Sequence, residues 1–304
     1  LPAELAARYP WNVASRPTSL RENIACMPED DDLNYTMLNL HVLETYGPEF
    51  TTDNVGEAWL KLMPVLTVFT AERVAYLNLL NFREPPETAT YRNPYREWIG
   101  AQIRGDLFGY VHPGQPALAA ALAWRDARLS HVKNGLYGEM FVAAMVAAAF
   151  VTSDVHQIIA AGLAQIPAQS RLAQAIQFAI TLRESEPNWE GALDRLYERY
   201  DSYHWVHTIN NAALVAAALV YGDGDYERSI CLAVTGGWDT DCNGATVGSV
   251  LGAMLGAGRL PSKWIAPLRN RVRTSLKGFD NSTFDDLTRR TLAVMQHPSQ
   301  EGVQ

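Results

Sequence analysis

Thr235-Gly236-Gly237-Trp238-Asp239-Thr240-Asp241-Cys242-Asn243-Gly244 sets two carboxylates one residue apart on a glycine-flanked turn. The turn opens a helix predicted over Thr240–Ala257, in which Gly244, Gly248, Gly252 and Gly256 recur at every fourth position beside Ala245, Ser249 and Ala253. One face of that helix is nearly bare backbone, so another helix can approach it closely. The same spacing marks helix pairs in membranes. Here acids precede the segment, several glycines punctuate it and it ends at Gly258-Arg259-Leu260-Pro261, which argues against a spanning helix. Unpaired N–H groups and a partial positive charge at the helix start favour Asp239 and Asp241 as anions. On these residues alone two readings stay open: ordinary N-cap and first-turn acids, or ligands for a hard metal ion.

A second acidic run shifts the balance. Met27-Pro28-Glu29-Asp30-Asp31-Asp32-Leu33 places four carboxylates in a row before an apolar-periodic segment. Two unit charges about 4 Å apart repel by roughly 4 kcal/mol at an effective dielectric near 20, so a bound dication would relieve several such terms at once. A solvated acidic helix start remains the alternative for this run alone. All-oxygen ligands point to Mg²⁺, Mn²⁺ or Ca²⁺ rather than zinc.

Asp-Thr-Asp before a glycine-rich helix, with an Asp-Asp pair near the N-terminus, resembles the ADP-ribosylglycohydrolase family, all-α enzymes related to dinitrogenase-reductase-activating glycohydrolase. Trp98-Ile99-Gly100-Ala101-Gln102-Ile103-Arg104, followed by Gly109 and Pro113, is similar to the family's Asn-Gly-Ala-x-Met-Arg loop. Asp126-Ala127-Arg128-Leu129-Ser130-His131 looks like its Thr-His region. The resemblance runs from about Asn23 to Pro261. It implies one or two magnesium ions, with manganese as an alternative, held between Asp31 and Asp32 and Asp239 and Asp241, with Asp30 where the family has a threonine. It also implies a ligand beside Gly100, Ala101, Gln102, Arg104 and His131, and a catalytic role for Asp30 or Asp31. Leu33, Cys242 and Ile99 depart from the pattern; a thiol is too soft to suit magnesium, so one of two metal positions is expected to be weakened, or completed by water. The family's Gly-Asp-x-x-Gly segment and its downstream glutamate are not seen after Leu1-Pro2-Ala3, and an upstream helix is expected to supply them.

The rest of the chain fits an all-α, single compact domain of orthogonal helices over residues 1–304. Apolar residues make up 48% of the sequence, enough for a large core. Helices are predicted at Tyr35–Tyr46, Val55–Phe82 with a break at Pro64, Pro116–Ser130, Gly135–Val151, Asp154–Gln165, Gln169–Arg183, Trp189–Tyr200, Asn210–Tyr221, Tyr226–Val234, Thr240–Ala257, Ser262–Thr274 and Phe284–Gln296. No β-branched alternation marks a substantial sheet. A net charge of −8 argues against nucleic-acid binding. The longest apolar run, Met140 to Val151, is too short to cross a bilayer. Cys26, Cys231 and Cys242 form no metal spacing and leave an odd thiol, which points to a reducing cytoplasm. Nothing in the sequence addresses the oligomeric state.

Other residues invite weaker readings. His204 and His207 lie three apart without a third ligand, so pocket lining or packing is favoured over zinc. Trp238 either stacks on a base or sugar or anchors its turn. The resulting expectation is a metal-dependent hydrolase cleaving an N- or O-ribosyl bond of an ADP-ribosylated protein, an ADP-ribose derivative or a nucleoside. A non-catalytic module that binds an ADP-ribose-like ligand and a two-metal phosphoesterase are the rivals.

Overall fold

Asn210 to Tyr221 carries apolar side chains nearly all round, and a helix of that kind has to be covered on every side. In the computed structural model, which describes residues 17–296, this stretch lies within the helix Thr208–Gly222, every residue of which is buried. The similarly alanine-rich helix Lys133–Ala149 is buried along most of its length. Around these two pack Val155–Leu163, Arg171–Ser185, Trp189–Tyr200, Tyr226–Thr235 and Thr240–Leu255, which together form one apolar core. A second core gathers Asp31–Tyr46, Thr52–Leu62, Thr70–Leu80 and the C-terminal helix Phe284–Met295. The fold is all-α. Among the described residues there is no sheet, only isolated bridges joining Met27 to Val272, Trp98 to His207 and Val272 to Ser282.

Local chemistry accounts for the helix ends. Pro64 separates Thr52–Leu62 from Thr70–Leu80, as its missing donor predicts. Thr51 and Asn54 close a reciprocal capping box on the first of these helices. The glycine face of Thr240–Leu255 meets Tyr226–Thr235: a Cβ on Gly244 would lie 3.1 Å from Val234, while Gly252 faces open space. The expected helix Ser262–Thr274 does not form as one piece. It stops at Ile265, a 3-10 turn spans Ala266–Leu268, and Arg269 and Asn270 adopt left-handed backbone. Pro267 is the physical reason, since its ring clashes with the preceding helical turn and it offers no N–H. Sequence periodicity also passed over the short helices Glu87–Thr90 and Asp106–Tyr110.

No described helix is long and apolar enough to cross a membrane. The expected upstream segment lies outside the described residues.

Candidate metal centre

The first turns of the helices Asp31–Tyr46 and Thr240–Leu255 meet, which brings the two acidic motifs together. Cys242 Sγ donates to Asp32 Oδ2 at 3.8 Å. Carboxylate oxygens of Asp30, Asp31 and Asp32 lie within 4.8 Å of one another, and so do ligand atoms of Asp32, Asp241 and Cys242. Asp32 is common to both groups.

The two helix starts use their acids differently. Asp30 is the N-cap of its helix and accepts from the Asp32 N–H at 3.2 Å. Asp239 also occupies an N-cap position, but its side chain makes no capping hydrogen bond. The turn before it is held from behind: Asn211 Oδ1 accepts from the Asp239 N–H at 3.1 Å and from Asn243 Nδ2 at 2.7 Å. Gly237 and Trp238 both have positive φ, and a Cβ on Gly237 would lie 2.4 Å from the Tyr197 hydroxyl. Trp238 stacks on Tyr197 with centroids 4.6 Å apart, which anchors the turn.

Crowding sets the electrostatics. Burial, then Asp30 and Glu72, push Asp31 up to about 8. Burial and the neighbouring Asp30, Asp31 and Asp241 hold Asp32 well above the carboxylate range. Burial and Asp241 push Asp239 up to about 7. Burial and the surrounding carboxylates also raise the Cys242 thiol, which therefore stays protonated and acts as a donor to Asp32. These residues fit a hard divalent cation, because oxygen ligands converge where their ionisation is otherwise opposed.

A pH dependence follows. The folded, metal-free protein holds more protons than the unfolded chain between about pH 4 and 8, so its stability falls as pH rises through that window. A cation requires the ionised forms, so it expels protons on binding. Titration with Mg²⁺ at pH 6.5, in buffers of different ionisation enthalpy, is expected to release about two to three protons, with affinity tightening towards pH 8. Binding without proton release would show that these carboxyls are already ionised.

Beneath the acids lies a buried charge cluster that sequence reasoning passed over. Arg104 is fully buried and pairs with three carboxylates: Asp126 at 2.7 Å, Glu72 at 3.2 Å and Glu139 at 3.6 Å. It also donates to Ser130 Oγ at 3.0 Å and to the Asp126 carbonyl at 3.4 Å. Burial alone would lower its pKa, yet Asp126, Glu139 and Glu72 raise it. Glu72 is pushed up to about 7 by burial, opposed by Arg104. Its carboxylate covers Gly100, where an added Cβ would meet Oε1 at 1.9 Å. Glycine is required there by that close approach. Ser130 Oγ lies 2.8 Å from His131 Nδ1, and burial keeps this imidazole neutral.

The residues expected beside a ligand therefore separate into two groups. Gly100 and Ala101 form the turn over Glu72, followed by the 3-10 turn Gln102–Arg104. Gln102, Arg104 and His131 are buried, at 0%, 0% and 1% exposure. Arg104 has its donors committed to buried partners. His204 stacks on Trp98 at 4.3 Å, and His207 caps the Thr208–Gly222 helix. Neither belongs to a group of three or more metal-ligating side chains among the described residues.

The model of a family described as ADP-ribosylglycohydrolase matches residues 13–300. A solved structure described as an ADP-ribosylglycohydrolase-related protein complex is similar in fold, with a TM-score of 0.59 and 19% identity over 87% of this chain and 80% of that one. No curated protein matches the chain.

Proposed function

The chain belongs to the ADP-ribosylglycohydrolase family, and on that premise we propose that it is a metal-dependent hydrolase of ribosyl bonds, built as one domain over residues 1–304. The observation that carries this reading is the meeting of Asp32 with Asp241 and Cys242, residues more than two hundred positions apart. A helical protein with no ligand to hold gains nothing from opposing two acidic helix starts.

Asp30, Asp31, Asp32, Asp239 and Asp241 are the residues assigned to one or two Mg²⁺ ions, with Mn²⁺ as a substitute. Such an ion would hold ribose hydroxyls and orient a water molecule. Asp30 and Asp31 are assigned to the water's proton. In the reaction the water oxygen bonds to the anomeric carbon, the C–N or C–O bond to the leaving group breaks, and a proton passes to the departing atom. Positive charge develops on the ribose as that bond lengthens, and flanking carboxylates stabilise it. The substrate class is an ADP-ribosylated protein, an ADP-ribose derivative or a related nucleoside. Free Cys26, Cys231 and Cys242 suit a cytoplasmic setting.

Mass-spectrometric analysis of ADP-ribosylated peptides, ADP-ribose derivatives and nucleosides, incubated with Mg²⁺ or with chelator, tests the proposal. Metal-dependent release of a free ribosyl product is the expected result. Binding without turnover at saturating metal would make the protein a recognition module, and release of phosphate or AMP would make it a phosphoesterase.

Cys242 bears on the number of ions. Its protonated sulfur is a poor ligand for magnesium, so Cys242→Thr, which supplies a hard oxygen at the same place, is expected to tighten Mg²⁺ binding by about tenfold. Unchanged calorimetric affinity would leave Cys242 as a packing residue.

A further inference from the structure

Asn211 is fully buried on the helix Thr208–Gly222, and its amide joins two turns. Oδ1 accepts from the Asp239 N–H at 3.1 Å and from Asn243 Nδ2 at 2.7 Å. Nδ2 donates to the Trp205 carbonyl at 2.8 Å and to the His207 carbonyl at 2.9 Å. A primary amide has two donor hydrogens and two acceptor lone pairs, so its whole capacity is used. The amide fits only one way round, because a backbone N–H cannot accept and a backbone carbonyl cannot donate. Aspartate has the same size but lacks the donors.

Each side of the amide continues into another part of the molecule. On the acceptor side lies the turn through Gly237 and Trp238, where Trp238 at φ +53° holds a conformation that bulky residues rarely adopt. Strain of this kind persists only where the surroundings enforce it. Here the bonds to Asn211 act together with the Tyr197 hydroxyl, which donates to the Gly236 carbonyl at 3.0 Å. Asp239 leaves this turn with its side chain uncommitted to capping. On the donor side, the 205–207 turn is clasped by the 97–99 segment. The Ile99 N–H donates to the Val206 carbonyl at 2.9 Å, and the Thr208 N–H donates to the Glu97 carbonyl at 3.2 Å. One side chain therefore stands between the turn that carries Asp239 and Asp241 and a backbone segment that offers no metal ligand of its own.

We propose that Asn211 is a positioning residue that keeps the Asp239 turn in register with the 97–99 segment, so that a cation held by the acids also orders the 97–99 and 205–208 backbone. The inference rests on the metal reading of the acidic cluster. Opening of the 205–207 turn requires the amide to release Trp205 and His207. A bound cation pins the Asp239 turn and so keeps the amide engaged. Groups that orient metal ligands without touching the metal typically contribute about ten- to a hundredfold in affinity.

Calorimetric titration with Mg²⁺ at pH 8 compares wild type with Asn211→Ala and with Leu219→Ala, a cavity-forming change near the other end of the same buried helix. Asn211→Ala is expected to weaken Mg²⁺ binding by about tenfold or more, and Leu219→Ala to leave it within about twofold, being remote from the turn. A merely structural role would leave the two folded variants alike.

Hydrogen exchange with and without Mg²⁺, saturating for each protein, reads the coupling itself. Mg²⁺ is expected to slow exchange over residues 97–99 and 205–208 in wild type but not in Asn211→Ala, with the helix Val155–Leu163 unchanged in both. If Asn211→Ala fails to fold, Asn243→Ala removes a single bond to the same amide and is expected to weaken Mg²⁺ by about fivefold. Equal Mg²⁺ affinity in Asn211→Ala and Leu219→Ala, or wild-type protection confined to the two acidic helix starts, overturns the inference and leaves the metal reading standing. A wild-type protein that binds neither Mg²⁺ nor Mn²⁺ overturns both.

Discussion

Arg104→Met is expected to destabilise the protein by about 3–5 kcal/mol at pH 8, the cost of stranding buried carboxylates without their counter-ion. Three acids converge on this one guanidinium, and two of them, Glu72 and Glu139, are raised by burial even with the arginine present. Removing the positive charge raises them further. A carboxyl whose folded pKa lies above its unfolded value contributes stability at low pH and loses it as pH rises through the folded value. The deficit of the variant relative to wild type should therefore be large at pH 8 and much smaller at pH 5, where the stranded acids take up protons. Urea unfolding of both proteins at the two pH values measures this directly. The comparison also separates charge from packing. Arg104 Cζ lies 5.2 Å from the rings of both Tyr35 and Trp59, and loss of those contacts does not depend on carboxyl titration. An equal deficit at both pH values would assign Arg104's role to the aromatic contacts and overturn the charge account.

Arg104 also shows where sequence reading stops. The family-like loop singles it out, yet its partners Glu72, Asp126 and Glu139 come from three other helices, and each looks like an isolated charge in the sequence. One signal was available. Glu72 lies on the same helical face as buried Ala71, Ala75 and Tyr76, and an acid on an apolar face announces a buried partner. Asn211 is a similar case, one of three buried polar residues with Thr208 and Asn210 in a largely apolar helix, and it holds the Asp239 turn through two hydrogen bonds.

What was legible was local chemistry. Pro64 marks a break, glycines mark a close helix contact, and Asp-Thr-Asp and the Glu29–Asp32 run mark two acidic helix starts. Periodicity misled over Ser262–Thr274 because apolar spacing continues through Pro267 although a helix cannot.

Asp32→Asn is expected to have opposite effects on stability and activity. Asp32 is 8% exposed and shares both groups of candidate ligands, so its charge is the most crowded of the acidic cluster. Asparagine keeps the shape and can still accept from Cys242, but it removes a carboxyl whose ionisation burial and its neighbours oppose. At pH 8 the metal-free variant should therefore unfold about 2–4 °C above wild type, corresponding to about 1 kcal/mol. The stabilisation conferred by saturating Mg²⁺, about 2.7 kcal/mol at a hundred times Kd, should largely disappear. Turnover on any ribosyl substrate found should fall at least a hundredfold, since a catalytic cation contributes several kcal/mol. Asp241→Asn is expected to show the same loss of metal response with a smaller gain in metal-free stability, because Asp241 is already exposed. A structural acid predicts the reverse pattern. If Asp32→Asn melts below wild type without metal and retains its response to Mg²⁺, the cluster is not a metal centre. Higher metal-free stability with a lost metal response would mean that the protein keeps costly charges together because it uses them to hold a cation.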